Sequence, residues 1–165
     1  MERGPILREL RNRVFELATK VLDPTRFDAE LIKDIGEARF EVIIYCPFTK
    51  KRRVNWFINR RELKDALNRG VEIKLVTRKP EHVRNPEEHK ENISDLQRAG
   101  VLIYARNWIH YKGVIIDRKV VYVGSMNVLY EPGHEEDYMV RLVSEVLADE
   151  ILETIGEPKD EELIE

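Results

Sequence analysis

The segment around which the chain is organised reads HYKGVIID at residues 110–117 and GSMN at residues 124–127. The pattern, H-x-K-x4-D-x6-G-S-x-N, combines a titratable ring, a cation, a carboxylate, a hydroxyl and an amide. A neutral imidazole can attack phosphorus and form a phosphohistidine. A lysine and a side-chain amide can hold the non-bridging phosphate oxygens as charge builds on them. With cations supplied by the protein, this chemistry requires neither a metal nor another cofactor.

Two apolar runs, 114–116 and 120–123, predict a hairpin of two short strands with residues 117–119 as its turn. His110 and Lys112 are two residues apart along the first strand, so their side chains should point to the same face. We expect the hairpin to bring four polar side chains to one rim: His110, Lys112, Ser125 and Asn127.

The pattern resembles the HKD signature of the phospholipase D superfamily at every signature position, within a resemblance that covers roughly residues 28–155. Several residue types at fixed offsets seldom coincide by chance. The resemblance implies an α/β fold, with a mixed, mostly parallel sheet flanked by helices on both faces. The competing interpretation is a polar hairpin whose histidine and lysine merely face solvent.

Composition predicts a soluble globular protein, because 42% of the 165 residues are hydrophobic and 36% are charged. No apolar run is long enough to span a bilayer and no signal peptide is evident, which favours a cytoplasmic protein without a membrane partner. The lone cysteine, Cys46, lies in an apolar run and is expected to be a buried thiol. No Cys/His cluster has metal-site spacing.

Abundant Glu, Lys and Arg, with Gln97 as the sole glutamine, suggest a thermophilic source. A melting temperature in the mesophile range would count against this hypothesis. The net charge of −3 is unevenly distributed, with Lys and Arg dominating residues 50–84 and acids dominating residues 131–165. The basic part suits a polyanionic substrate.

Basic and aromatic residues near the motif are candidate substrate contacts. The cations of one turn, Lys50, Lys51, Arg52 and Arg53, are expected to contact phosphates, with Lys51 and Arg52 favoured, although a solvated charged turn explains them equally well. Trp108 beside His110 is a candidate for stacking on bases, as is Tyr111; the alternative is that both line the core or its rim. His134 is a further histidine near the motif, but a loop histidine is more often incidental.

Hydrophobic periodicity and breakers predict alternating helices and strands. The predicted helices cover residues 6–22, 28–35, 54–69, 87–98 and 144–155. The other predicted strands cover residues 40–48, 71–77, 101–105 and 138–143. We divide the chain into an N-terminal helical extension (1–25), a catalytic domain (26–156) and an acidic tail (157–165) that should be frayed.

The family resemblance also implies roles. His110 would be the nucleophile in one subunit and the general acid/base in the other, with Lys112 and Asn127 binding phosphate and Ser125 assisting. Asp117 would be structural or orienting. A carboxylate following the motif would support the histidine; Glu136 is favoured and Asp137 is the alternative.

Because the family reaction uses two histidines and the chain has one motif, the resemblance implies a two-fold homodimer. The predicted activity is metal-independent cleavage of DNA or RNA. One alternative is a phospholipid hydrolase or phosphatidyltransferase. Another is a non-catalytic nucleic-acid-binding subunit of a helicase or restriction system, since residues 40–155 also look like the phospholipase-D-like domain appended to some DNA helicases.

Overall fold

Residues 9, 19–130 and 136–165 are described by a computed structural model of the chain. This part contains seven strands and five α-helices. The strands are β1 (Lys20–Leu22), β2 (Glu41–Tyr45), β3 (Glu72–Arg78), β4 (Leu102–Arg106), β5 (Gly113–Ile116), β6 (Val120–Gly124) and β7 (Met139–Val143). The helices are α1 (Pro24–Glu37), α2 (Lys51–Ile58), α3 (Arg61–Asn68), α4 (Pro86–Ala99) and α5 (Glu145–Ile155).

The strands form one mixed sheet in the order β1-β7-β6-β5-β2-β3-β4. β2, β3 and β4 are parallel, as expected for strands connected through helices. The other four pairings are antiparallel. The α/β class and the mixed sheet are confirmed, but parallel pairings are the minority. The difference arises because the β5–β6 hairpin and its neighbours add antiparallel strands to a short parallel unit.

Helices cover both faces of the sheet, as predicted. Alternate strand residues point to opposite faces. On one face, Val42 and Ile44 pack with buried side chains of α1 to α4, including Phe27 and Phe57. On the other face, Ile43 belongs to a second cluster, to which α5 contributes Ala148 and Leu152.

β2, β3 and β4 end on the same side of the sheet. We call this boundary, formed by strand ends and not by an outer strand, the site edge. β5 begins there because Gly113 pairs with Tyr45 at the end of β2. β6 ends there because Gly113 also pairs with Val123, and β7 begins there because Gly124 pairs with Met139. This register brings the polar residues before β5 and after β6 to the same edge.

The start of the chain differs from the prediction. Residues 20–22 form β1 rather than the end of a helix, because they pair with β7 at the sheet margin. Apart from Glu9, which is helical, the rest of the helix predicted at 6–22 lies largely outside the described residues. α1 starts earlier than predicted, at Pro24, and the Asp23 carboxylate caps it by accepting the Arg26 N–H at 3.0 Å.

The helix predicted over 54–69 is two helices, α2 and α3. Its break lies at Asn59 and Arg60, and Arg60 has extended backbone angles. The Asn59 side chain donates to the Asn55 carbonyl at 2.7 Å, and Arg60 Nε donates to the Trp56 carbonyl at 3.1 Å. These bonds satisfy carbonyls that the interrupted helix would otherwise leave unpaired.

The acidic tail is docked, so the prediction of fraying is wrong. The Arg106 guanidinium, at the end of β4, donates to the carbonyls of Gly156 and Glu157 at 3.0 and 2.9 Å. Arg106 also pairs with Glu162 at 2.8 Å. The Ile164 N–H donates to the Ile103 carbonyl at 2.9 Å. The half-buried Arg106 and the backbone bond of Ile164 therefore fasten the tail to the sheet margin.

Candidate active site

His110 and Lys112 lie together at the site edge. Lys112 Nζ is 3.5 Å from His110 Nε2 and 3.3 Å from the His110 carbonyl oxygen. Both residues precede β5, which begins at Gly113, so the prediction that they belong to the strand is wrong. They nevertheless share one side of the chain, with His110 exposed and Lys112 half-buried.

The contact between the two side chains bears on which ring nitrogen can react. An ammonium group can only donate, so Nε2 can accept from Lys112 only in the form of the ring that carries a lone pair on this nitrogen. In the neutral ring this is the tautomer with the proton on Nδ1. In that tautomer Nε2 is the nitrogen available for attack on an electrophile, and Lys112 is within reach of any anion that approaches it.

Ser125 is held beside Asp137 by the close approach of β6 and β7. A Cβ atom added to Gly124 would lie 2.2 Å from the Tyr138 carbonyl oxygen, so only glycine permits this spacing. Ser125 Oγ donates to Asp137 Oδ1 at 2.7 Å and accepts the Tyr138 N–H at 3.1 Å. In this arrangement the serine hydroxyl proton is committed to a carboxylate and is not directed at a phosphate.

The two candidate carboxylates have different surroundings. Glu136 is exposed, whereas Asp137 is half-buried and contacts Ser125. Asp137 is therefore the carboxylate that touches a residue of the sequence motif, although Glu136 was favoured from the sequence. Residues 128–135 separate the motif from both carboxylates, which are adjacent in sequence, so sequence spacing did not distinguish them.

Asn127, the last residue of the motif, lines a cavity of about 620 Å³. Its Oδ1 atom is buried and has no hydrogen-bond partner among the described residues. The cavity walls include Phe48, Lys50, Arg84 and Tyr130, together with residues at the start of α4. The cationic and aromatic walls can receive an anionic ligand that carries a flat ring, whereas the unpartnered Oδ1, as an acceptor, needs a donor group from the ligand.

A buried network holds the loop that forms one cavity wall. His89 accepts from or donates to Thr49 Oγ1 through Nδ1 at 2.7 Å, and its Nε2 lies 2.9 Å from the Arg78 carbonyl oxygen. Because a carbonyl only accepts, Nε2 carries the proton and Nδ1 accepts from Thr49. Asn92 Nδ2 donates to Thr49 Oγ1 at 3.1 Å. Burial lowers the pKa of His89, so the neutral ring is favoured.

Asp117 is remote from this chemistry, at the turn of the β5–β6 hairpin. Its carboxylate accepts three backbone N–H groups, from Arg39 at 2.9 Å, Phe40 at 2.8 Å and Glu41 at 3.1 Å. Asp117 and Arg118 have φ values of 51° and 52°, as in turns that close tight hairpins. The contacts of Asp117 therefore join the hairpin turn to the beginning of β2.

The basic stretch at 50–53 is the start of α2, not a free turn. Lys51 Nζ forms an ion pair with Asp95 at 2.8 Å, and this bond raises the pKa of Lys51. Arg53 is buried and binds Asp28 at 2.7 Å. Arg52 is exposed. The cation of this stretch that lines the cavity is Lys50.

The aromatic neighbours of His110 have contrasting positions. Trp108 is 73% exposed, and its ring lies against the His82 ring with centroids 4.6 Å apart. Tyr111 instead packs edge-to-face on buried Tyr45 at 5.3 Å. Burial raises the pKa of Tyr111 to about 12, and its hydroxyl is buried without a partner in the described part of the chain. Only Trp108 of the pair presents a ring to solvent.

Sequence reasoning missed Phe48, Arg78, His82 and Tyr130 as residues of the site edge. Each follows or ends a segment that the sheet brings to this edge, so topology would have selected them once the strand order was known. His134 lies outside the described residues. Within the described ranges, no group of three or more His, Cys, Asp or Glu residues is placed to hold a metal ion.

A family model described as "Cardiolipin synthase, PLD-like domain" matches residues 31–156, which include every residue of the HKD pattern. No curated protein matches the chain. None of the helices in the described ranges has the length and apolar character needed to cross a membrane.

Solved structures share this fold. Nuc from Salmonella typhimurium, a phospholipase D family member, has a TM-score of 0.63 and 19% identity, with 82% of this chain and 90% of that chain covered. NucT from Helicobacter pylori has a TM-score of 0.63 and 18% identity, covering 88% of this chain and 97% of that one. TrmBL2 is an archaeal chromatin protein described as showing a novel mode of DNA binding. It has a TM-score of 0.56 and 14% identity, with 90% of this chain and 58% of that chain covered. At these identities the likeness concerns the fold.

Proposed function

The chain belongs to the family of phospholipase D-like domains, and from this premise we propose that it is a phosphodiesterase that cleaves nucleic acid through His110. The observation that carries the proposal is the pairing of His110 Nε2 with Lys112 Nζ, 3.5 Å apart at an exposed edge. A nucleophile and a cation at one point suit attack on an anionic phosphodiester. The nearby cavity, with its aromatic and cationic walls, favours a nucleotide over an uncharged substrate.

In the first step, His110 Nε2 forms a bond to phosphorus while the bond from phosphorus to the leaving oxygen breaks. The leaving oxygen takes a proton from a second histidine acting as general acid. That histidine, now neutral, removes a proton from water; the resulting hydroxyl attacks phosphorus and the P–N bond breaks. The products are an alcohol and a phosphomonoester, and both histidines return to their starting states.

Charge on the phosphoryl oxygens would be balanced by Lys112, and the Asn127 amide nitrogen would donate a hydrogen bond to them. Lys112 exchanges its contact with His110 Nε2 for a phosphate oxygen when substrate binds, which also frees the nitrogen for attack. Because these groups belong to the chain, we propose that the reaction proceeds without a metal. Asp137 would act through Ser125 as a positioning residue.

We propose that the second histidine is the partner subunit's His110, in a two-fold homodimer. Within the chain, His89 is unsuited to the role because both of its ring nitrogens are engaged in the buried network. An isologous contact at the site edge would place two identical motifs face to face.

The test is cleavage of labelled single-stranded and duplex DNA and of RNA in excess EDTA. Wild-type protein should cut, and the variants His110→Ala and Lys112→Ala should lose the activity. Lys119→Ala is the matched control, since Lys119 is exposed at the opposite end of the same hairpin and should cut normally. Acid quenching followed by mass spectrometry should detect a phosphate on His110. Cutting by His110→Ala, or cutting that EDTA abolishes, would refute the proposal.

Subunit mixing tests the dimer. If each site needs two intact histidines, an equal mixture of exchanged wild-type and His110→Ala subunits should retain about a quarter of the wild-type activity, because a quarter of randomly formed dimers are fully wild-type. Retention of half would indicate that each subunit works alone. Sedimentation should show the wild-type protein as a dimer.

The description of the matching family favours one competing function, phosphatidyl transfer or phospholipid hydrolysis. Cardiolipin and phosphatidylglycerol vesicles, incubated in parallel with the nucleic acids, distinguish the two. Headgroup release or exchange that requires His110, without cleavage of any nucleic acid, would replace the nuclease proposal.

A further inference from the structure

Five side chains follow one another along the site edge, and we call them the ring strip: Tyr130, Phe48, Arg78, Trp108 and His82. The rings of Tyr130 and Phe48 have centroids 5.9 Å apart. The Arg78 guanidinium lies 4.8 Å from the Phe48 centroid and 5.8 Å from that of Trp108. The Trp108 and His82 rings are 4.6 Å apart. The planar groups of the ring strip therefore form a continuous row in which each group lies next to the following one.

The ring strip is attached to the candidate active site at two points. Arg78 Nε donates to the Ile109 carbonyl at 2.8 Å, immediately before His110, and Trp108 is two residues before His110. At the other end, the Tyr130 N–H lies 3.4 Å from the Asn127 carbonyl oxygen. A chain-like ligand with one phosphate at His110 would meet the ring strip with its neighbouring units.

Parts of the ring strip are open to a ligand. Trp108 is 73% exposed, and Phe48 and Tyr130 form walls of the 620 Å³ cavity. Cations border these rings, since Lys50 Nζ lies 5.3 Å from the Tyr130 centroid and Arg84 also lines the cavity. Glu88 is the acid on the cavity wall, and its Oε1 accepts the Lys51 N–H at 3.2 Å.

We infer that the ring strip stacks unpaired bases on either side of the scissile phosphate, so that the enzyme selects single-stranded nucleic acid. The inference rests on the proposed function and specifies its substrate. Aromatic platforms interleaved with cations bind single strands because bases stack on the rings while the phosphates meet the cations. In a duplex, the base faces are covered by neighbouring pairs and are inaccessible to the rings. An acyl chain is a poorer fit, because Arg78 interrupts the apolar surface.

The experiment measures binding in the His110→Ala background, so that no substrate is consumed. Fluorescence anisotropy compares three ligands of equal length: a labelled thymidine oligonucleotide, the same phosphodiester backbone with abasic sites, and a duplex. We expect the oligonucleotide with bases to bind tightest. Adding Trp108→Ala or Tyr130→Ala should weaken that binding by roughly 5- to 150-fold, the range for loss of one stacking platform, and should reduce the preference over the abasic strand.

Phe40→Ala is the matched control. Phe40 is also an exposed aromatic residue, at 68%, but it lies just before β2, at the opposite end of that strand. It should leave binding of all three ligands unchanged. Sedimentation of each variant shows whether assembly is retained.

The inference is overturned if Trp108→Ala and Tyr130→Ala weaken the abasic and base-containing strands equally, or if neither variant weakens binding. It is also overturned if phosphatidylglycerol vesicles displace the oligonucleotide and their binding requires Trp108. Wild-type cleavage of the same oligonucleotide in EDTA is measured separately. If the protein prefers the strand with bases through the ring strip but cleaves no nucleic acid, base stacking by the ring strip is supported and the proposed nuclease activity is refuted.

Discussion

Replacing Asp117 should destabilise the fold without removing the chemistry, although this aspartate is part of the HKD pattern. Asp117→Ala deletes the acceptor of three backbone N–H groups at the start of β2. Because these hydrogen bonds lie near the surface, we assign each a contribution of about 1 kcal/mol to the free energy of unfolding. This is below the usual range for hydrogen bonds to a charged group. Alanine at a φ of 51° adds about 1 kcal/mol of strain. The free energy of unfolding should fall by about 3–4 kcal/mol.

Two further substitutions separate these contributions. Asp117→Gly loses the three bonds but tolerates the positive φ, so it should cost less strain than Asp117→Ala. Asp117→Asn retains one oxygen for the N–H groups of Phe40 and Glu41 and loses the bond to Arg39, with an expected cost of about 1–2 kcal/mol.

Urea unfolding followed by circular dichroism measures these costs, and the melting temperature of Asp117→Ala should fall by roughly 6–15 °C. Asp65→Asn is the control: its carboxylate makes an exposed 3.4 Å ion pair with Arg61, and removing it should change stability by less than about 0.5 kcal/mol. Nuclease activity per folded molecule should persist in Asp117→Asn. Unchanged stability combined with lost activity would refute the assignment and place Asp117 in the chemistry.

Three other outcomes are expected. Asp34 is 5% exposed and binds Arg141 at 2.7 Å. Asp34→Asn should therefore lower the free energy of unfolding, measured in urea, by about 3–5 kcal/mol. A loss below about 1 kcal/mol would contradict the importance of this buried ion pair. Asp137→Asn should reduce kcat by about tenfold or more with little change in KM, whereas Glu136→Gln should have a smaller effect; the reverse order would reinstate Glu136. Because burial lowers the pKa of His89 from 6.5, the unfolded chain binds its proton first, and stability should fall as pH drops below 6.5 toward the folded-state pKa. Denaturant curves of His89→Gln should lack this part of the pH dependence.

The hairpin at 113–124 shows how far local sequence information reaches. Its apolar runs and turn were predicted because alternation, β-branched residues and a short polar turn are properties of adjacent residues. The same holds for the end of α4, where Gly100 was predicted as the cap, whereas the start was predicted at residue 87 and the structure has Asn85 as the cap and Pro86 as the first helical residue. Local rules were weaker at α2 and α3, where the break depends on side chains that cap carbonyls one turn earlier.

Other features depended on partners distant in sequence. Residues 20–22 form a strand because β7 offers an edge, and the tail is ordered because Arg106 binds it. Lys50 and Lys51 are adjacent in sequence, yet Lys51 forms an ion pair with Asp95 and Lys50 lines the cavity. No periodicity in the neighbouring residues specifies such pairings.

By itself, the sequence determined the α/β class, the hairpin, the family and the group of polar residues that includes His110 and Lys112, because these follow from local spacing and residue type. Only the tertiary structure decided that Asp137 touches Ser125, that Asp117 fastens β2, and that five side chains from separate segments form the ring strip. The physical reason is that strand order and register bring the ends of distant segments to one edge, and hydrogen bonds and ring contacts across that edge are invisible along the chain.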